Sequence, residues 1–172
     1  DAGQGLIHLS DGIEIFSSVE GPFQKVRNGW TTDLDGDGID EILLIDDRSL
    51  MVVRPTAQNW NLQEVFSRRH SEENGRASAS WPGDLDGDGI SDLLVIDGVR
   101  GEIEILAGEA DSFRPALRFQ VFEKKTFFGG GRGIEPRKVI AADLDGDGSL
   151  DPAILVHDRL IIYPQGSDEG LR

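Results

Sequence analysis

The sequence predicts an all-β fold in which one strand-bearing unit recurs along the chain. Three observations carry this. An acidic loop appears at 33–41, 84–92 and 143–151. Each copy empties at once into an aliphatic run: Ile42-Leu43-Leu44-Ile45, Leu93-Leu94-Val95-Ile96 and Pro152-Ala153-Ile154-Leu155-Val156. The runs are short and end at Asp46-Asp47, Asp97-Gly98 and His157-Asp158, which marks buried strands rather than helices. The 172 residues include 22 Gly and 7 Pro, a composition suited to many short strands and turns in one region spanning 1–172.

The elements follow in order. Residues 1–20 hold two short strands, Leu6–Leu9 and Ile13–Phe16, hinged at Ser10-Asp11-Gly12. They read as the tail of a unit, parallel to Ile154–Val156 and Leu160–Tyr163. Residues 22–32 are expected to hold the last strand of that unit and the first of the next. The first unit continues through Ile42–Ile45, Leu50–Val53 and Trp60–Phe66, and a polar loop follows from Ser67 to Gly75. The second has Leu93–Ile96, Glu102–Leu106 and Leu117–Phe122; the alternation along Glu102–Leu106 predicts a half-exposed strand. The third has Lys138–Ala142, Ala153–Val156 and Leu160–Tyr163, and stops one strand short. Trp30, Trp81 and Ile140 each stand three residues before a loop and are expected to pack between units. Glu123 to Ile134, with Phe127-Phe128 beside a Gly run, reads as a linker, with a partner-contact loop as the alternative.

The loop is a cation site by its chemistry. Three carboxylates at alternate positions of one tight turn repel one another, and a bound cation offsets that repulsion. Only oxygen donors are present, which suits a hard ion. Calcium fits best because it accepts six to eight oxygens in loose geometry, whereas magnesium demands a near-ideal octahedron. Positions 1, 3 and 5 supply side chains: Asp33, Asp35 and Asp37; Asp84, Asp86 and Asp88; Asp143, Asp145 and Asp147. Position 6 is Gly38, Gly89 or Gly148, where the chain reverses and positive φ is expected. Position 7 (Ile39, Ile90, Ser149) offers a backbone carbonyl, and position 9 (Glu41, Asp92, Asp151) closes the cage. About three Ca2+ ions are expected. An EF-hand is excluded because position 12 is Leu44, Val95 or Ile154 where that loop needs a bidentate Glu, and because strands, not helices, follow. A dockerin fails likewise, since it sets two such loops about twenty residues apart among helices.

The pattern Asp-x-Asp-x-Asp-Gly-x-x-Asp before an aliphatic run resembles the FG-GAP / VCBS-type calcium-binding repeats found in integrin α-subunit heads and in many bacterial secreted proteins. The resemblance implies a β-propeller of four-stranded antiparallel blades, with each calcium loop joining the first two strands of its blade. Asp33 to Asp84 is a step of 51 residues and Asp84 to Asp143 a step of 59, and both suit a blade better than a solenoid rung. Three blades with a part-blade at each end suggest a partial or small ring, since propellers close with roughly four to eight blades. The end pieces can complete a four-bladed ring, or the chain is part of a larger ring, or several copies assemble. The Phe-Gly and Gly-Ala-Pro cues of the family are not evident. Copy one departs at position 9, where Glu41 or its neighbour Asp40 closes the cage.

The formal charge is −15, from 17 Lys and Arg against 32 Asp and Glu. Four candidate ligand carboxylates in each of three loops make twelve of those 32, so much of the imbalance belongs to the loops. Nucleic acid is excluded as a partner, because phosphate contacts need clustered Lys and Arg. No cysteine is present, which removes disulfides and thiol chemistry and is neutral on compartment. No apolar run approaches the ~20 residues of a membrane span. The chain has no starting Met and no leader, so it reads as a mature or trimmed piece. Loops of this kind hold calcium at ~0.1–1 mM in extracellular modules, which points to a secreted, cell-surface or periplasmic setting. His8, His70 and His157 are scattered, and neither a nucleophile elbow nor a phosphate loop occurs. The chain therefore reads as a non-catalytic module for protein or glycan binding and adhesion. The alternatives are a secreted polysaccharide-active enzyme of lyase type, against which a lone Tyr163 argues, and a structural subunit completed by further chains.

Overall fold

A computed structural model describes residues 5–10, 15–21, 26–46, 49–55, 60–67, 77–98, 100–120, 138–156 and 159–166. Every regular element among them is a strand. A two-stranded sheet pairs β1 (Gly5–Ser10) with β2 (Ile15–Gly21). Two four-stranded meanders follow. The first is β3 (Val26–Thr32), β4 (Glu41–Asp46), β5 (Ser49–Pro55) and β6 (Trp60–Ser67). The second is β7 (Ala77–Gly83), β8 (Asp92–Asp97), β9 (Glu102–Glu109) and β10 (Ser112–Gln120). A three-stranded sheet closes the described chain with β11 (Lys138–Ala142), β12 (Asp151–Val156) and β13 (Arg159–Ile162). All pairings are antiparallel. Each acidic loop joins the first and second strands of its sheet.

The first strands β3, β7 and β11 touch one another in turn, and the last strands β2, β6 and β10 do the same. Consecutive sheets therefore stack face to face around a common line, which is a partial, propeller-like arrangement of blades. The contact of β2 with β6 makes β1 and β2 the third and fourth strands of their blade, one place later than the sequence suggests.

Because side chains alternate along a strand, each middle strand serves two junctions. Leu43 and Ile45 of β4 and Leu50 and Val52 of β5 meet Leu93, Val95 and Leu106 of the next blade. On the opposite face of that blade, Leu94, Ile96, Ile103 and Ile105 meet Val139 and Ile154 of the third. Leu44, Met51 and Val53 turn the other way, with Trp60 and Leu62 beside them. This two-sided burial explains why the runs after the loops are continuously apolar rather than alternating.

Other boundaries also move. β2 is described from Ile15, with residues 13 and 14 outside the described residues, and the stretch 22–32 yields one described strand, β3. β7 reads Ala-Ser-Ala-Ser-Trp-Pro-Gly, which gives no aliphatic signal; Ala77 and Ala79 are buried because neighbouring blades supply the bulk. β10 starts at Ser112, and its Pro115 sits beside a register shift on an edge strand, where the missing N–H is tolerated. The stretch Glu123 to Ile134, and the loop after Ser67, fall outside the described residues.

Candidate metal sites

Each loop is held by its own carboxylates. In loop one, Asp33 accepts from the N–H groups of Gly36 (2.8 Å), Asp37 (3.1 Å) and Gly38 (2.8 Å). Asp35 accepts from Asp37 N–H, and Asp37 from Ile39 N–H. Loop two repeats the set with Asp84, Asp86 and Asp88. Loop three has the matching bonds from Gly146 and Gly148 to Asp143, from Asp147 to Asp145 and from Ser149 to Asp147. Position 6 has φ of 87°, 88° and 92° at Gly38, Gly89 and Gly148. Position 4 is also left-handed, with φ of 77°, 78° and 83° at Gly36, Gly87 and Gly146, so two glycines per loop are required, not one.

This wiring aims carboxylate oxygens at common points. Asp33, Asp35 and Asp37 bring oxygens within 4.8 Å of one another. So do Asp84, Asp86 and Asp92, and Asp143, Asp145 and Asp151. Oxygens sharing one calcium at 2.3–2.6 Å lie no more than about 5 Å apart, so each group fits such an ion, and three acidic clusters can hold metal. An oxygen that accepts an N–H keeps a lone pair for a cation. A bound ion would neutralise the crowded charge and tie the loop to its strand.

The sites differ in what converges. Positions 1 and 3 are common to all. Asp37 completes the group in loop one, whereas position 9 completes it in loops two and three. Asp88, Asp147 and Glu41 stand outside these groups. At position 7, Ile39 is exposed while Ile90 and Ser149 are half-buried. Asp40 is exposed, and Glu41 is the buried one of the pair.

The position-9 carboxylates are buried, and each accepts from the N–H of position 2: Leu34 to Glu41 (2.9 Å), Leu85 to Asp92 (2.8 Å) and Leu144 to Asp151 (2.9 Å). The second oxygen of Asp92 takes the N–H of Gly108 (2.8 Å), and that of Asp151 takes the N–H of Gln165 (2.7 Å). Gly108 lies two residues past Leu106, the partner of Leu93 at position 10. The same count from Val53, the partner of Ile42, reaches Pro55. Proline has no N–H. An Asp in copy one would leave a buried oxygen without this donor, and Glu41 stands there instead. The departure at Glu41 is legible in the sequence, and so is the proline fourteen residues on that lacks the N–H.

Burial raises the pKa of Asp92 to about 6; the Gly108 and Leu85 N–H groups pull it back, while the charges of Asp86 and Asp88 push it further up. Burial also raises Glu41, opposed by the Leu34 N–H and the Arg54 charge. Asp86 is raised by burial and by the charge of Asp88.

The first two blades are stitched beside their loops. Trp30 Nε1–H and Asn28 Nδ2–H both donate to Ser80 Oγ, at 3.0 and 3.2 Å. Ser91 Oγ donates to the Asp33 carbonyl at 2.9 Å. Arg54 reaches the Ala110 carbonyl (3.4 Å) and Asp111 (3.4 Å). Trp81 packs at the second junction as expected, and Ile140, in the same register, is exposed on the outer face of the third blade.

A chain of antiparallel blades, three of them carrying an Asp-Gly loop between the first two strands, is a repeat protein of propeller type. A model of the FG-GAP-like repeat matches residues 33–95 and 84–153, and the chain belongs to that family. Each match begins at the first Asp of a loop and runs past the next loop. A search of curated proteins finds no significant match.

Proposed function

We propose that residues 1–172 form one calcium-binding propeller region acting as a non-catalytic module for protein or carbohydrate ligands outside the cell. The observation that carries this is the recurrence of an oxygen-only cluster at the same place in three consecutive blades. The ligands proposed are Asp33, Asp35, Asp37, Asp84, Asp86, Asp88, Asp143, Asp145 and Asp147, with Glu41, Asp92 and Asp151 at position 9 and the carbonyls of Ile39, Ile90 and Ser149. FG-GAP-like repeats are typical of extracellular proteins, where millimolar calcium fills sites of this affinity class. No helix among the described residues is long and apolar enough to cross a membrane. Tyr163, the one tyrosine, packs edge-on against Phe119 of the neighbouring blade with centroids 5.2 Å apart, which supports a packing role over a catalytic one. Equilibrium dialysis against 2 mM calcium tests the reading: about three ions per chain are expected, and no uptake overturns it.

A second reading, completion by further chains, is favoured by the outer face of the third blade. Ile140, Leu144, Leu155, Leu160 and Ile162 are exposed there, in the registers that Trp81, Leu85, Ile96, Ile103 and Ile105 occupy at the second junction. Another blade fits this face. Light scattering at millimolar calcium decides: a multiple of 18.8 kDa supports self-completion, and the monomer mass contradicts it.

A further inference from the structure

We infer that Ser91, contributed by the second repeat, is a positioning residue for the first acidic loop, so that loops one and two take up their ions as a coupled pair while loop three fills independently. The inference rests on the calcium reading above and adds an order of filling to it.

Ser91 is buried, and its hydroxyl donates to the carbonyl of Asp33, the first residue of loop one. Its single proton is used there. Thr32 Oγ1, 3.0 Å away, must therefore be the donor in the second bond between the blades. Thr32 immediately precedes Asp33, and Ser91 immediately precedes Asp92. Asp33 belongs to the first carboxylate group and Asp92 to the second. One hydroxyl pair thus ties the backbone beside a converging carboxylate of one loop to the backbone beside a converging carboxylate of the other. The loops also approach closely: a Cβ on Gly36 would stand 3.3 Å from the Gly89 carbonyl.

Among the described residues, the second junction has no equivalent bridge. The place of Thr32 is taken by Gly83, where the Trp81 ring fills the space a side chain would need. The place of Ser91 is taken by Leu150, which packs against the apolar cluster between blades two and three. Neither residue carries a hydroxyl. Ordering loop two fixes Ser91 and with it the start of loop one, so the second ion to bind meets a turn already held. Loop three receives no such help from loop two.

Calorimetric titration of the full chain with calcium chloride tests this. Asp145→Ala leaves loops one and two. Adding Asp86→Ala or Asp35→Ala leaves loop one or loop two alone. The paired sites are expected to bind with a product of affinities about fivefold or more above the product of the single-site values. Ser91→Ala removes that excess, and Ser91→Thr restores it. Loops two and three, paired in Asp35→Ala, show no excess. Circular dichroism checks each fold; if Ser91→Ala does not fold, Thr32→Val removes the other hydroxyl and is expected to reduce the excess. Independent binding at loops one and two, coupling that survives both hydroxyl variants, or equal coupling of loops two and three overturns the inference alone. Absence of calcium uptake overturns it together with the calcium reading.

Discussion

Asp92 shows how a single carboxylate ties pH to stability in this fold. Its folded pKa, about 6, lies above the ordinary 3.8, so the metal-free native state holds the proton more tightly than the unfolded chain does. The resulting stability is fully present below about pH 4 and is lost as pH rises through about 6, on the order of 3 kcal/mol by pH 7. Urea titrations in chelator are expected to show the midpoint falling from pH 4.5 to pH 7, with Asp92→Asn flattening the trend. Saturating calcium reverses the slope, because ligation requires the ionised carboxylate. A metal-free midpoint that rises over this range contradicts the assignment. The repeated Asp spacing was legible at this scale because one turn contains it. The Gly108 and Gln165 donors were not, since they lie fourteen or more residues further along the chain, and nor was Ser91, which acts on a different repeat.

At the scale of the element, the leucine at position 2 measures what a blade junction contributes. Leu34 is 4% exposed and Leu85 2%, each packed toward the following blade, while Leu144 is 50% exposed. Leu85→Ala is expected to cost about 2–5 kcal/mol in urea unfolding, and Leu144→Ala to stay within about 0.5 kcal/mol. Equal costs would mean that Leu144 is covered in solution, in favour of completion by another blade. The strands after the loops were readable because burial on both faces demands unbroken aliphatic runs. β7 was not, because Ala77, Ser78, Ala79 and Ser80 are small where neighbouring side chains fill the space. The place of β1 and β2 within their blade was likewise hidden, since only packing against β6 reveals it.

For the molecule as a whole, three acidic turns sit at three consecutive blades, and the two junctions between those blades hold most of the buried large aliphatics. The net charge of −15 works against compaction, and the loops concentrate it. Cations bound at the loops would oppose that repulsion beside the strands that carry the junctions. The comparison of greatest weight is the melting temperature at pH 7 in chelator against 10 mM calcium chloride. Binding at 10–100 times Kd adds about 1.4–2.7 kcal/mol per site. Three sites then raise the melting temperature by more than about 5 °C in a chain of this length. A melting temperature unmoved by calcium would contradict the claim that ions at these loops hold the blades.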